Sequence, residues 1–123
     1  MTNIDESSKL VPDWLDVVRV DDVEPAIVGP GCFRRDLPST NALRVWVVDM
    51  SPGSIWPVVD EHDTGEEVYV ASSEIIEGED RFGAGTYLFF KPGSRHRPRM
   101  ETGARLFGIN VSVGAASVFA TEA

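Results

Sequence analysis

Short runs of β-branched and aromatic residues alternate with turn-forming residues along most of this chain, and this pattern limits its fold more than any other feature. No stretch keeps the 3.6-residue apolar period of an amphipathic helix. The run at residues 43–50, LRVWVVDM, has the composition of a strand. Many short strands at intervals of roughly 8–12 residues are typical of an antiparallel sandwich or small barrel. The sequence therefore predicts an all-β fold.

The individual strands are predicted from the same runs and from the turn signals between them. We predict strands at residues 15–20, 32–37, 43–50, 66–71, 74–77, 86–90 and 105–113, with a short last strand at 117–120. Residues 21–30 are predicted to be a connector, and Ser72 and Ser73 a tight turn.

The length of the chain fits one domain. A chain of 123 residues buries roughly two-thirds of its unfolded surface, so it needs no disulfide, and its single cysteine, Cys32, cannot form an internal one. We predict a flexible tail over residues 1–12, which are polar and acidic, and a single domain over residues 13–123.

The net charge of −9 narrows the range of partners. Nucleic-acid binding depends on Lys and Arg that neutralise phosphates, so this balance argues against nucleic acid and equally against an anionic membrane surface. The net charge neither favours nor excludes a small-molecule substrate. The sequence has no secretory signal and no apolar run near the roughly 20 residues of a membrane span, so we expect a cytoplasmic protein.

The only two histidines, His62 and His96, lie near carboxylates in a pattern that could bind a metal ion. In a strand, residues i and i+2 point to the same face, so Asp60 and His62 can reach one ion together. Glu66 follows after a short turn, and His96 could complete the set from a neighbouring strand. Two imidazoles and two carboxylates suit Zn, Fe(II), Mn(II) or Ni(II), with positions left for water or substrate.

These segments resemble the two motifs of the cupin superfamily. The first cupin motif contains a glycine, a pair of histidines, a glutamate and a glycine, and the second a glycine, a proline, a glycine, a histidine and an asparagine. Here the first reads from Gly53 through Asp60, His62 and Glu66 to Ser73, and the second from Gly85 through Lys91, Gly93 and His96 to Met100. Gly65-Glu66-Glu67 and Pro92-Gly93-Ser94-Arg95-His96 are most similar to ChrR-like cupins. The resemblance implies a double-stranded β-helix, or jelly-roll, barrel with Asp60, His62, Glu66 and His96 as ligands of a divalent metal.

The sequence departs from the cupin motifs at four positions. Asp60 replaces the first histidine, Ser73 the closing glycine, Lys91 the proline and Met100 the asparagine. A site with one imidazole fewer binds borderline metals more weakly, so a metal-free cupin also remains open.

The alternation of side chains along a strand predicts the lining of the pocket. If Asp60 and His62 face inward, Trp56 and Val58 do so too, and an inward Glu66 brings Val68 and Val70 with it. Tyr69 then faces out. The remaining predicted lining residues are Trp46, Met100 and Phe107.

Three functions follow from the resemblance. The first is a metal-dependent enzyme, such as a dioxygenase, isomerase or polyketide cyclase, acting on a small apolar or aromatic molecule with a carbonyl or enol group. The second is a sensing module, because ChrR-like cupins include the sensing half of zinc-dependent anti-sigma factors. The third is a metal-free dehydratase or epimerase that uses His62 or His96 as the general base. The resemblance also suggests a homodimer.

Overall fold

The computed structural model describes residues 12–111, and within this range the regular structure consists of β-strands and one short 3-10 helix, Val20–Asp22. The strands are β1 (Ala26–Gly29), β2 (Cys32–Leu37), β3 (Leu43–Met50), β4 (Asp60–His62), β5 (Glu66–Glu77), β6 (Asp80–Gly83), β7 (Tyr87–Phe90), β8 (Ser94–His96) and β9 (Ala104–Val111). No helix in the described residues is long and apolar enough to cross a membrane. The prediction of an all-β fold is confirmed.

The strands form an antiparallel jelly roll. Seven of them make one sheet in the order β1-β2-β3-β9-β5-β6, with β7 paired to β5, while β4 and β8 form a separate two-stranded sheet. The long strand β5 pairs with three other strands. Its first half pairs with β9 and β7, and its second half pairs with β6. The predicted double-stranded β-helix, or cupin, barrel is therefore the observed fold.

The core lies on the inner faces of the sheet. Alternate residues of β3, β5 and β9 are buried, among them Trp46, Val48, Val68, Val70 and Leu106. Burying each such side chain stabilises the fold by about 1.5–3 kcal/mol relative to leaving it exposed.

Gly108 on β9 makes room for the largest of these side chains. It lies opposite Trp46 in the β3–β9 register, and a Cβ atom at this position would lie 2.0 Å from the Trp46 ring. Only glycine fits there, because heavy atoms in contact are normally about 3.5–4.0 Å apart. The Trp46 indole therefore lies across β9 and reaches toward the cavity described below.

The strands predicted at residues 32–37 and 43–50 are confirmed as β2 and β3. The strand predicted at residues 15–20 is wrong, since residues 15–19 have no regular structure and Val17 is 67% exposed. Within residues 12–111 this segment pairs with no strand, and Asp21, which follows it, forms an ion pair with Arg105 at 2.7 Å. The predicted connector at 21–30 contains strand β1, which pairs with β2.

The tight turn predicted at Ser72 and Ser73 is also wrong, because β5 continues through both residues. Its register against β9 shifts between Val70 and Ser72, as at a β-bulge, and Ser73 has a φ of 58°. A bulge bends a strand without ending it. Ser73 thus adopts the left-handed conformation in the position that closes the first cupin motif, where glycine is usual.

Both ends of the chain carry predictions that lie outside the described residues. They are residues 1–11 of the expected tail, the last two residues of the 105–113 strand and the strand at 117–120.

Candidate metal centre

Pairing of β4 with β8 brings the two histidines together. Asp60 lies opposite His96, and His62 lies opposite Ser94. The Nε2 atoms of His62 and His96 are 2.8 Å apart, and potential ligand atoms of Asp60, His62 and His96 all lie within 4.8 Å of one another. His62 is only 2% exposed. The pairing alone thus gathers three of the four predicted ligands.

Glu66 joins this group from the start of β5. Its Oε1 atom lies 3.3 Å from His62 Nε2 and 3.5 Å from His96 Nε2, and the residue is 7% exposed. Gly65 makes the approach possible, because it has a φ of 84° and a Cβ there would lie 3.0 Å from the Phe90 carbonyl oxygen. The structure therefore places all four predicted ligand residues in one cluster.

The charges in the cluster are strongly coupled. Burial disfavours the Glu66 carboxylate, but hydrogen bonds from His62 and His96 outweigh it and lower the pKa of Glu66 to about 2. Burial likewise disfavours the His96 imidazolium, yet hydrogen bonds with Glu66 and Glu77 raise the pKa of His96 to about 9. Burial and the neighbouring Glu66 charge raise the pKa of Asp60 to about 6.

Glu77 supports the cluster from behind, and sequence reasoning missed it. Its Oε2 atom accepts a hydrogen bond from His96 Nδ1 at 2.8 Å, which directs His96 Nε2 toward His62 and Glu66. The turn predicted at residues 72 and 73 would end the strand before Glu77. In the structure β5 continues through a bulge to residue 77, which brings Glu77 to His96.

Asn110 is a second supporting residue that sequence reasoning missed. Its Nδ2 atom donates to Glu66 Oε2 at 3.1 Å, and its Oδ1 atom accepts from Trp46 Nε1 at 2.6 Å. The alternation of residues along β9 could have indicated this role, because it places Asn110 on the buried face with Leu106 and Gly108.

The residues of the cluster fit a divalent metal ion. Imidazole nitrogens lie about 2.0–2.1 Å from a bound zinc, so two of them in neighbouring positions on one ion are about 3 Å apart, close to the 2.8 Å found here. Two nitrogens and two carboxylates form a borderline donor set. A carboxylate on the second nitrogen of His96 is the usual support for a metal-ligating imidazole.

A cavity of about 60 Å³ opens beside the cluster. Trp46, Trp56 and Val68 line it, together with Asp60, Glu66 and His96. Space for one water takes about 10–15 Å³ on the same measure, so the cavity holds several waters or a small ligand.

Four residues predicted for the pocket lie elsewhere. Val70 and Met100 are buried in the core and do not line the cavity. Val58 is 52% exposed, because it lies in a bend at residues 57–58, before β4, where the alternation of a strand does not apply. Phe107 is 37% exposed, because it lies on the opposite face of β9 from Leu106.

A jelly roll with histidines and carboxylates gathered beside an internal cavity defines a small cupin. The chain belongs more narrowly to the family described as the ChrR cupin-like domain, whose model matches residues 16–113.

Several solved structures share this fold. A chain in the crystal structure of Rhodobacter sphaeroides SigE in complex with the anti-sigma ChrR is 22% identical, with a TM-score of 0.68; the match covers 75% of this chain and 51%, about half, of that one. The polyketide cyclase RemF from Streptomyces resistomycificus is 20% identical, with a TM-score of 0.67. The match covers 77% of this chain and 78% of the cyclase. An acetylacetone dioxygenase from Acinetobacter johnsonii is 13% identical, with a TM-score of 0.67. The match covers 80% of this chain and 74% of the dioxygenase. At these identities the likeness establishes the fold alone. No curated protein matches the chain significantly.

Proposed function

We propose that this chain is a metal-dependent cupin enzyme that acts on a small organic substrate with a carbonyl or enol group. The observation that carries the proposal is the convergence of His62, His96, Glu66 and Asp60 beside a cavity, which the last three of them line. Cupins of known activity with the same fold, the cyclase and the dioxygenase described above, support this class of reaction.

In this proposal Asp60, His62, Glu66 and His96 hold the ion, which is Zn, Fe, Mn or Ni. When bound, the ion supplies Lewis acidity for a carbonyl or enolate oxygen, or a redox centre for dioxygen. The protein contributes orientation: Glu77 fixes the imidazole of His96, and Asn110 fixes the carboxylate of Glu66.

The walls of the cavity give the substrate a mostly apolar surrounding. Trp46, Trp56, Val68 and Leu106 border the cavity and make its lining mostly apolar. A low-dielectric surrounding strengthens every electrostatic contact at the substrate, which favours polarisation of a carbonyl group.

The experiment compares protein loaded separately with Fe(II), Zn(II), Mn(II) or Ni(II) against a panel of 1,3-dicarbonyl compounds and enols. Oxygen uptake identifies an oxygenase, and product formation without oxygen uptake identifies an isomerase or cyclase. Turnover that needs one ion and is lost in Glu66→Gln supports the proposal. Turnover that survives chelation contradicts it and favours the metal-free histidine base.

A metal-sensing or ligand-sensing module is the second candidate. Membership of the ChrR cupin-like family and the likeness to a chain of the SigE–ChrR complex favour it. Stoichiometric metal binding without turnover of any compound in the panel would support this function over the enzyme.

We also propose that the chain forms a homodimer through the outer face of its sheet. Four aromatic side chains on three adjacent strands are exposed there: Tyr69, Tyr87, Phe89 and Phe107, each 37% to 57% exposed. Exposed aromatic groups of this kind mark interaction surfaces. Light scattering after size-exclusion chromatography should give a dimer for the wild type and a monomer for Phe89→Glu; a wild-type monomer would contradict the proposal.

A further inference from the structure

Two arginines line the cavity from strands other than those that carry the histidines. Arg34 on β2 and Arg44 on β3 both line it, and their side chains are only 20% and 18% exposed. In the β3–β9 register Arg44 lies opposite Asn110, the residue that holds Glu66. The cavity thus has a cationic wall in addition to the candidate metal centre.

Arg34 and Arg44 share Asp36 as an ion-pair partner. The Arg34 Nε atom lies 3.3 Å from Asp36 Oδ1, within range of an ion pair, but among the described residues no acceptor forms a hydrogen bond with this buried atom. The same oxygen of Asp36 lies 3.6 Å from Arg44 Nε, and the Asp36 side chain is 53% exposed. Both guanidinium groups are largely buried, and an anion in the cavity that they line would give them a further charge-assisted partner.

We propose that the cavity binds a small organic monocarboxylate, with its carboxylate on Arg34 and Arg44. A guanidinium matches the planar carboxylate and can bind it through two parallel hydrogen bonds. The apolar part of the ligand then lies against Trp46 and Trp56, in the space that His96 also lines.

The size and charge of the site favour a carboxylate over a phosphate. The volume of about 60 Å³ holds a compact ligand, and most of its lining is apolar. Asp60 and Glu66 border the same space, and the whole chain carries a net charge of −9, so a doubly charged anion is disfavoured. This inference rests on the proposed function for the role of the ligand as substrate, but the binding site itself requires only the arginines and the cavity.

The test uses butyrate and its neutral isostere butyramide, with the fluorescence of Trp46 and Trp56 as the readout. Trp14, which is 84% exposed, adds only a constant background. We expect butyrate to saturate with a dissociation constant of about 1 mM, and butyramide to bind at least about tenfold more weakly. Equal binding of both compounds, no saturation by butyrate, or preference for inorganic phosphate would overturn the proposal.

Matched variants assign the effect to the arginines. Arg34→Gln and Arg44→Gln should each weaken butyrate binding by about 10- to 100-fold, the usual loss for a charge-assisted hydrogen bond. Arg19→Gln is the control, because Arg19 is 87% exposed and forms an ion pair with the nearby Asp22. Wild-type affinity in both cavity variants would overturn the proposal, while the comparison of butyrate with butyramide on wild-type protein remains decisive if a variant fails to fold.

Titrations of zinc-loaded and chelator-treated protein separate this inference from the proposed function. If the chain binds no metal, the proposed function fails, yet butyrate should still bind the chelated protein through the arginines. If metal binds and butyrate saturates in neither form, only the carboxylate site fails.

Discussion

His96 and Glu77 form a partly buried hydrogen bond of 2.8 Å, from Nδ1 to Oε2, that leaves the opposite nitrogen of the imidazole facing His62 at 2.8 Å. Phe90 stacks on the same imidazole, with ring centroids 4.0 Å apart. These two contacts restrict the rotation of His96. The orientation of one candidate ligand is therefore set by a residue outside the two cupin motifs.

Substitution Glu77→Gln should weaken metal binding without preventing folding. Loss of a supporting carboxylate costs about 10- to 100-fold in metal affinity, because the imidazole loses both its orientation and part of its basicity. Competition with a chromophoric zinc chelator measures the change. Glu74→Gln is the control, since Glu74 lies on the same strand but pairs with the exposed Arg81. Equal zinc affinity in Glu77→Gln and wild type would show that the contact does not position His96.

Gly108→Ala should destabilise the fold because its Cβ would lie 2.0 Å from the Trp46 ring. Forcing an extra carbon into a packed core costs about 1–3 kcal/mol or more. Urea denaturation followed by circular dichroism measures the free energy of unfolding. Gly83→Ala, whose added Cβ would meet only the Ser73 carbonyl oxygen at 3.9 Å, should change it by no more than about 0.5 kcal/mol. A wild-type stability for Gly108→Ala would contradict the packing described here.

Metal affinity should fall as the pH is lowered, because protons compete for the same atoms. The pKa of His96 is about 9, so below pH 9 a proton must leave before the ion binds, and affinity should drop by about tenfold per pH unit. Below pH 6 the drop should steepen, since the pKa of Asp60 is about 6. Glu66, with a pKa of about 2, stays ionised throughout.

Zinc titrations across this range, with proton release measured in weakly buffered solution, test the prediction. Asp60→Asn should abolish the steeper fall below pH 6. In metal-free protein, the raised pKa of His96 stabilises the fold fully below its ordinary value of 6.5, and this contribution is lost as the pH rises through 9. Affinity that is constant between pH 6 and pH 9 would contradict either the raised pKa of His96 or its role as a ligand.

The sequence predicts the fold well where the local pattern and the tertiary environment agree. Strands β2 and β3 follow directly from their runs of β-branched and aromatic residues. The exposed residues 15–19 also include apolar residues, but none of the strands that the structure describes pairs with them, and a local sequence pattern does not reveal pairing.

The site residues that lie within the two cupin motifs could be predicted from the sequence. The four carboxylate and imidazole residues lie together, as their spacing indicated. The groups behind and beside them could not be predicted, because Glu77 depends on the bulge in β5, and Asn110 and Phe107 depend on which face of β9 is buried. A shift of one residue exchanges the two faces of a strand.

The most direct test of the central claim is the metal content of protein purified without chelators, measured by inductively coupled plasma mass spectrometry. Glu66→Gln is compared with Glu67→Gln, the adjacent residue, which faces outward and accepts a hydrogen bond from Tyr87. We predict about one ion of Zn, Fe, Mn or Ni per chain in the wild type and in Glu67→Gln, and a large loss in Glu66→Gln. A wild-type protein that contains none of these ions and takes none up on addition would contradict the account.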